Sequence, residues 1–248
     1  MASPDGKKRA ILFAYACHNT TLTGNFYKLS GDYAGVATAK LEAEYPGAGA
    51  LFLQLCGGDQ NPNPRDTVEL AEQPGVELAA AVDRVLGGPL ASLNGSIRTS
   101  YVVTRLKLAQ QPRSAYQADL ENPKPTPAAR QRATRMLAAM DAGHPVRDTR
   151  YPVQAVRFGK SLTLLALGGE VVVDYALRTR REYPGEALIV AGYSNAVMCY
   201  IPSNRVLGEG GYEVVDNMVY YGQPGPFAPG VENGVFQAIH QAMKKVGR

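Results

Sequence analysis

The sequence has little of what would mark several classes of protein. Its net charge is only +4, from 26 basic and 22 acidic side chains, and its short basic clusters form no stripe, which argues against nucleic-acid binding. No apolar stretch reaches the ~18 to 20 residues of a transmembrane helix, and the first residues lack the apolar core of a secretory signal. The sequence therefore predicts a soluble chain with no membrane span, and it leaves the cellular location open.

Cysteine and histidine are scarce, with three residues of each. The cysteines lie in or beside apolar runs without metal-motif spacing, which predicts buried thiols; they are Cys17, Cys56 and Cys199. His144 lies in a Gly-His-Pro loop and His240 in a helical pattern, so neither has the context of a ligand. His18 follows an apolar run that predicts a strand. Strand ends often present ligands or catalytic groups, although a single histidine there is more often structural.

Hydrophobic periodicity predicts strands and helices in alternation. The predicted strands cover residues 10–16, 49–56, 97–108, 153–158, 162–167 and 187–192. The predicted helices cover residues 76–86, 127–141, 171–182 and 235–246. The composition does not change across the chain, which predicts one domain over residues 1–248. The predicted fold class is α+β or mixed α/β, with mixed β-sheets flanked by helices.

Residues that could take part in catalysis or ligand binding concentrate at four places, all at strand ends or in glycine-containing turns. The first is the His18 segment, and the second is the 55–64 loop, where glycines and Asx-Pro steps predict an irregular loop. The third is Glu170 after two glycines, at or near a helix start, where the dipole favours a carboxylate. The fourth is residues 191–195 with the tyrosines that follow.

The N-terminal pair of these places resembles the neutral/alkaline (non-lysosomal) ceramidase family. Members of that family carry a strand that ends in a zinc-ligand histidine, then Ser or Thr, a Ser-Asp step and a glycine. His18, Thr20-Thr21, Ser30-Gly31-Asp32 and Gly35 are similar to that series, with one residue between Ser and Asp. The family's Gly-Asn-X-Ser-Pro-Asn loop resembles residues 58–63 (GDQNPN).

The C-terminal pair resembles the same family. Residues 152–159 (PVQAVRFG) are similar to the family's Pro-X-Gln-X-X-Arg-X-Gly strand, which leads to a zinc-binding glutamate, here Glu170. Residues 191–195 (AGYSN) resemble an Ala-Gly-Leu-X-Asn strand. The family then has a zinc-ligand tyrosine and a second active-site tyrosine twelve residues later, as Tyr200 and Tyr212 are spaced. The resemblance runs from about residue 9 to the C-terminus.

The resemblance implies a zinc-dependent amidohydrolase. His18, Glu170 and Tyr200 would be the ligands of Zn²⁺, which polarises a carbonyl and lowers the pKa of bound water to ~7. Tyr212 would donate a hydrogen bond to the developing oxyanion. The implied substrate is an N-acyl amide such as ceramide, in sphingolipid metabolism.

One departure from the family concerns the loop serine that precedes its Pro-Asn pair. Here that position is Asn61, whose amide cannot form an acyl-enzyme. Asn61 retains the ability to donate a hydrogen bond to an oxyanion, which leaves a metal-activated water route. The changed loop suits another amide or an ester equally well.

The second departure is the absence of a segment that family members carry upstream of the His18 motif. That segment is Thr-His-Thr-His-like and supplies a further zinc histidine. No residue before residue 9 matches it. We therefore expect the chain to be the C-terminal portion of a catalytic domain, which needs a partner segment or self-association. The family is commonly secreted or membrane-associated.

Two alternatives remain at this point. A non-catalytic fragment or pseudoenzyme, acting as a binding or scaffold domain, agrees with the replaced serine and the missing histidines. A Cys-His hydrolase that uses Cys17 or Cys56 is weaker, because adjacent Cys17 and His18 would point to opposite faces of a strand.

Overall fold

A computed structural model describes residues 1–3 and 5–247. The chain divides into two compact units, Met1–Leu93 and Asn94–Arg248. The single domain expected over residues 1–248 stays a prediction, and residues 4 and 248 lie outside the described part.

The first unit is a two-stranded parallel sheet with two helices. Strands β1 (Ala10–Tyr15) and β2 (Gly49–Gln54) pair from Ala10 opposite Gly49 to Tyr15 opposite Gln54. Helices α1 (Asp32–Glu44) and α2 (Val68–Leu86) pack on each other. The core joins the strand residues Ile11, Phe13 and Ala50 to the helix residues Ala37, Leu41 and Ala79 and to Ala48, which precedes β2. The helices therefore cover one face of the sheet.

Helix α2 begins eight residues before the predicted start at residue 76. Pro74 lies inside it, and an interior proline normally ends or kinks a helix, which is why the prediction began later. Thr67 caps the helix by accepting a hydrogen bond from the Leu70 N–H (3.3 Å). Gly75 must be small, because a Cβ there would lie 2.6 Å from the Val36 Cβ. Close packing of α1 on α2 thus explains Gly75.

The second unit is built on a four-stranded sheet in the order β3-β4-β5-β7. Its strands are β3 (Ile97–Lys107), β4 (Asp148–Phe158), β5 (Leu162–Leu167) and β7 (Leu188–Ala191). The first three are antiparallel neighbours, and β7 runs parallel to β5. A separate parallel pair joins β6 (Glu170–Val171) to β8 (Tyr200–Ile201).

Helices surround the sheets of this unit. They are α3 (Arg113–Glu121), α4 (Pro127–Asp141), α5 (Val173–Glu182), α6 (Asn204–Glu209), α7 (Asn217–Tyr220) and α8 (Val231–Lys245), with a π-helical turn at Tyr212–Asp216. Helix α8 packs on β3 and β4 through an apolar face that includes Val235, Phe236 and Ile239, all buried. Helix α4 has the predicted bounds because Thr126 caps it and Pro127 fits the first turn.

The mixed α/β class with mixed sheets is confirmed. The three cysteines are buried thiols, as predicted. Within residues 1–3 and 5–247, no helix combines the length and apolar character that crossing a bilayer requires.

Candidate active site

A carboxylate and a tyrosine lie side by side in the small parallel sheet of the second unit. Glu170 of β6 pairs in register with Tyr200 of β8, and its N–H donates to the Cys199 carbonyl (3.0 Å). Each is 8% exposed. The side chains of Tyr200 and Glu170 are hydrogen-bonded. Two of the predicted metal ligands are therefore in contact.

Three further tyrosines complete a cluster around Glu170. The Tyr221 hydroxyl donates to Oε1 of Glu170, and Tyr193 is also hydrogen-bonded to this carboxylate. The ring of Tyr212 packs edge-on against that of Tyr200, with centroids 5.5 Å apart. The structure thus brings together Glu170, Tyr200 and Tyr212, and it adds two tyrosines that sequence reasoning missed.

The cluster favours neutral phenols. Burial, followed by interaction with the Glu170 carboxylate, raises the pKa of Tyr193, Tyr200 and Tyr221 well above the usual value. The same two causes raise the pKa of Tyr212. Each hydroxyl therefore keeps its proton at neutral pH and can donate a hydrogen bond.

Asn217 holds the segment that carries the two predicted tyrosines. It is completely buried, and its Oδ1 accepts a hydrogen bond from the Tyr200 N–H (3.2 Å). Its Nδ2 donates to the Tyr212 carbonyl (2.8 Å), across the π-helical turn that Tyr212 opens. One buried amide thus fixes the backbone of both tyrosines, and single-turn π structure frequently occurs at functional sites.

The glycines before Glu170 allow close packing. Gly169 has φ +76°, and a Cβ there would lie 2.6 Å from Ile201 Cγ1. A Cβ on Gly168 would lie 2.9 Å from the Pro152 ring. These contacts set Glu170 beside β8.

Glu170 lies near the start of a helix, as predicted, but outside the helix itself. Helix α5 begins at Val173 with Val172 as N-cap, and its first-turn acid is Asp174. Glu170 lies in β6 instead, since its N–H bonds to Cys199 across the sheet. Its environment is therefore set by the tyrosines rather than by the helix dipole.

The motif at residues 152–159 has a structural role in this unit. Arg157 is 3% exposed and forms an ion pair with Glu186 (3.0 Å) and a hydrogen bond to Thr163 Oγ1 (3.0 Å). Gly159 has φ +54°, a conformation that favours glycine. The motif thus braces the β4–β5 hairpin.

His18 lies in the first unit, after β1, and is anchored to the predicted loop. Its backbone N–H donates to the Gln60 carbonyl (2.9 Å), and the Nε2 of its ring lies 3.2 Å from the Gly58 carbonyl oxygen. Gly57 makes this possible, because a Cβ there would lie 2.7 Å from the Cys17 backbone nitrogen. The structure thus brings His18 to the 58–63 loop.

Asn61 of the same loop lines an open cavity of about 600 Å³. Its Oδ1 accepts a hydrogen bond from Thr20 Oγ1 (3.1 Å), so its NH₂ is left to donate elsewhere. The other lining residues are apolar side chains, tyrosines, amides, one cysteine and one acid, and include Tyr15, Pro62, Leu70, Gln73, Glu77 and Leu78. The cavity suits an uncharged ligand with a substantial apolar part.

The Ser30-Gly31-Asp32 motif organises the backbone near His18. Asp32 is 4% exposed, and its two carboxylate oxygens accept hydrogen bonds from the N–H groups of Leu22 (2.8 Å) and Tyr33 (2.7 Å). Gly31 must be small, because a Cβ there would lie 2.8 Å from the Gly35 Cα. This part of the resemblance therefore has a structural explanation.

No group of three or more His, Cys, Asp and Glu side chains forms a metal cage among residues 1–3 and 5–247. Tyrosine is not among those residue types, and Tyr200 is one of the predicted ligands. His144 and His240 lie elsewhere: His144 is exposed, and His240 lies 2.5 Å from Glu182.

Comparison with known proteins supports one fold. No protein-family model and no curated protein matches the sequence. Among solved structures, neutral ceramidase from Pseudomonas aeruginosa superposes with a TM-score of 0.69 at 17% identity, over 98% of this chain and 46% of that one. A ceramidase complexed with C2 superposes with a TM-score of 0.67 at 17% identity, over 95% of this chain and 45% of that one.

The fold is that of neutral ceramidase. The likeness covers almost the whole chain but only about half the length of the solved ceramidases, which fits the predicted C-terminal portion. At this identity, the comparison establishes the neutral ceramidase fold alone.

Proposed function

We propose that this chain is part of a metal-dependent hydrolase that cleaves an N-acyl amide. The observation that carries the proposal is the buried contact of Glu170 with Tyr200 and its neighbouring tyrosines, within a ceramidase fold. Burial of a carboxylate costs free energy that hydrogen bonds from the phenol groups offset here, and groups with strongly perturbed pKa values, such as these tyrosines, cluster at functional sites. The cluster therefore supports a catalytic rather than a purely structural role.

The proposed metal is Zn²⁺, with His18, Glu170 and Tyr200 as ligands by resemblance to the family. The residues fit this ion chemically, because imidazole nitrogen and carboxylate oxygen are ligands that zinc takes in proteins. The contact between Glu170 and Tyr200 supports the assignment, since it brings two side-chain oxygens that could bind a metal together at one buried site in the second unit. When bound, the ion would polarise the substrate carbonyl and lower the pKa of its water.

The residues proposed to stabilise the oxyanion are Tyr212 and Asn61. Tyr212 is 49% exposed, so its hydroxyl is accessible to a ligand, and its raised pKa keeps it a donor. Asn61 has an amide NH₂ available because Thr20 engages its oxygen. Donors of this kind, aimed at a developing negative charge, commonly contribute 10²–10³ in rate.

The proposed substrate class is a lipid amide, and an ester is the chemical alternative. The cavity beside Asn61 has prolines, leucines and tyrosines but no cationic side chain among its lining residues. Such a lining favours aliphatic groups over anions.

The test is hydrolysis of matched amides and esters by the purified chain with added zinc. A short-chain N-acyl sphingosine and its O-acyl isomer are incubated with the wild type and with Tyr212→Phe. We expect release of fatty acid from the amide, and a loss of about 10²-fold or more in Tyr212→Phe. Absence of turnover on both substrates, with zinc bound, would favour a different function.

That different function is a non-catalytic binding or scaffold domain. The observation in its favour is Asn61, where the family has a serine. A binding domain would retain N-acyl sphingosine without hydrolysing it, which equilibrium dialysis of the labelled lipid measures.

A further inference from the structure

A small cavity of about 150 Å³ lies between α4 and residues 219–222. It holds the equivalent of about five water molecules, which is the size range of an inorganic oxyanion with part of its hydration shell. Its lining residues are Ala128, Gln131, Arg132, Arg135, Val219, Tyr220, Tyr221 and Gly222. Two guanidinium groups and one amide therefore line it, and no carboxylate does.

Arg135 supplies the uncompensated positive charge. In the described part of the chain it makes no ion pair with a carboxylate, and its Nη2 donates to the Gly222 carbonyl. That contact uses one of five guanidinium N–H groups. Gly222 has φ +64°, and the Arg135 guanidinium lies within ordinary contact distance of it. The backbone thus orients the guanidinium and leaves its other donors for a ligand.

Arg132 adds a second set of donors. Its Nη2 pairs with Asp119 (2.6 Å), which fixes the side chain and neutralises much of its charge. Its Nε is buried and has no hydrogen-bond partner among the residues that the structure describes. A buried donor without a partner costs free energy, and Arg132 also lies in the lining of the cavity.

We propose that this cavity binds a small oxyanion of the phosphate class, held by the guanidinium groups of Arg132 and Arg135. Arginine matches this ligand because its planar fork donates two parallel hydrogen bonds to phosphate oxygens. The ligand is either free phosphate or the terminal phosphate of a lipid headgroup. Tyr221 belongs both to this cavity and to the Glu170 cluster, so the anion site adjoins the candidate active site.

Isothermal titration calorimetry of the full chain with inorganic phosphate tests the site. The variants are Arg135→Gln, Arg135→Lys and the control Arg130→Gln, which removes the same charge from an exposed residue of α4 that does not line the cavity. We expect one-to-one binding that weakens about tenfold or more in Arg135→Gln, less in Arg135→Lys and under about twofold in Arg130→Gln. Co-sedimentation with phosphatidic acid vesicles, against phosphatidylcholine vesicles, distinguishes a lipid headgroup from the free ion.

Phosphate binding that depends on Arg135 supports the site with a free anion as its ligand. Vesicle binding that depends on Arg135, without binding of inorganic phosphate, supports the same site with a lipid headgroup. Equal losses in Arg135→Gln and Arg130→Gln would mean non-specific attraction and would overturn the proposal. Absence of both phosphate and vesicle binding would overturn it as well.

Discussion

Glu170 and Tyr200 pair in register across the short β6–β8 sheet, and their side chains are hydrogen-bonded. This relationship joins the third and fourth of the four places that sequence motifs single out. It depends on glycines before Glu170 and on a buried amide behind Tyr200, and both supports can be tested.

Substitution of Gly169 by alanine should destabilise the second unit. Alanine at φ +76° is strained, and its Cβ would lie 2.6 Å from Ile201 Cγ1, so we expect a loss of about 2 kcal/mol or more in the free energy of unfolding. Urea denaturation measures it. Gly208→Ala is the matched control, because this glycine lies within α6 with no atom within 4 Å of a Cβ. It should stabilise by about 0.5–1 kcal/mol, and equal effects in both variants would refute the packing explanation.

Substitution of Asn217 by alanine should release the two tyrosine segments. It removes the side-chain hydrogen bonds to the Tyr200 N–H and the Tyr212 carbonyl. The Tyr212 carbonyl still accepts from the backbone N–H of residue 217, so we expect a cost of about 1–3 kcal/mol, mainly from the buried Tyr200 N–H that loses its partner. Asn233→Ala, at an exposed position of α8, should change stability by less than about 0.5 kcal/mol. A loss in Asn217→Ala no larger than in this control would show that the amide is not a support.

Conversion of Asn61 to aspartate should abolish its role as a donor while the shape of the side chain is kept. We expect kcat on an N-acyl amide to fall by about 10²-fold or more, since a carboxylate repels the developing oxyanion. Asn122→Asp makes the same chemical change at an exposed loop position and should retain full activity. If Asn61→Asp were as active as the control, Asn61 would have no part in the reaction.

Acid should weaken the contact between α5 and α6 through Asp174. Burial opposes ionisation of this carboxyl, but hydrogen bonds from Ser203 and Arg205 outweigh it and lower its pKa below the usual value of 3.8. A carboxyl with a depressed folded pKa stabilises the fold above its unfolded pKa, and that stabilisation disappears as the pH falls through the folded pKa. We therefore expect Asp174→Asn to be less stable than the wild type at pH 7.

The two proteins should converge in unfolding free energy as the pH falls below about 4. Urea denaturation at a series of pH values measures this difference. A difference that is unchanged from pH 7 to pH 3 would contradict the assignment.

The helices and strands were predictable where the sequence contains a periodic hydrophobic pattern or a helix-capping residue. Thr126-Pro127 marked the start of α4, and β5 is a continuous apolar run. Helix α1 was not predicted, because it packs through small residues such as Ala34 and Ala37 that produce little apolar period. Strand β4 begins at Asp148 rather than at residue 153, since β5 ends opposite Val153 and Pro152 is paired only to β3.

The site was predictable only in part, and for a similar reason. Glu170, Tyr200 and Tyr212 follow ordered motifs, whereas Tyr221 is brought to Glu170 by the turn after α7, which no local pattern predicts. Tyr193 occupies a position within the motif at residues 191–195 and has φ +54°, so its side-chain direction is set by backbone geometry. The role of Asn217 depends on a π-helical turn, for which the sequence has no periodic signal.

The proposed metal site is tested by the zinc content of the purified chain, measured by inductively coupled plasma mass spectrometry after dialysis against a zinc-buffered solution. The variants are His18→Ala, Glu170→Gln and Tyr200→Phe, and the control is His144→Ala, which removes an exposed histidine from a loop. We expect one zinc per chain in the wild type and the control, and a loss of zinc in each ligand variant. A wild-type chain without zinc, or one whose zinc survives these three substitutions, would contradict it.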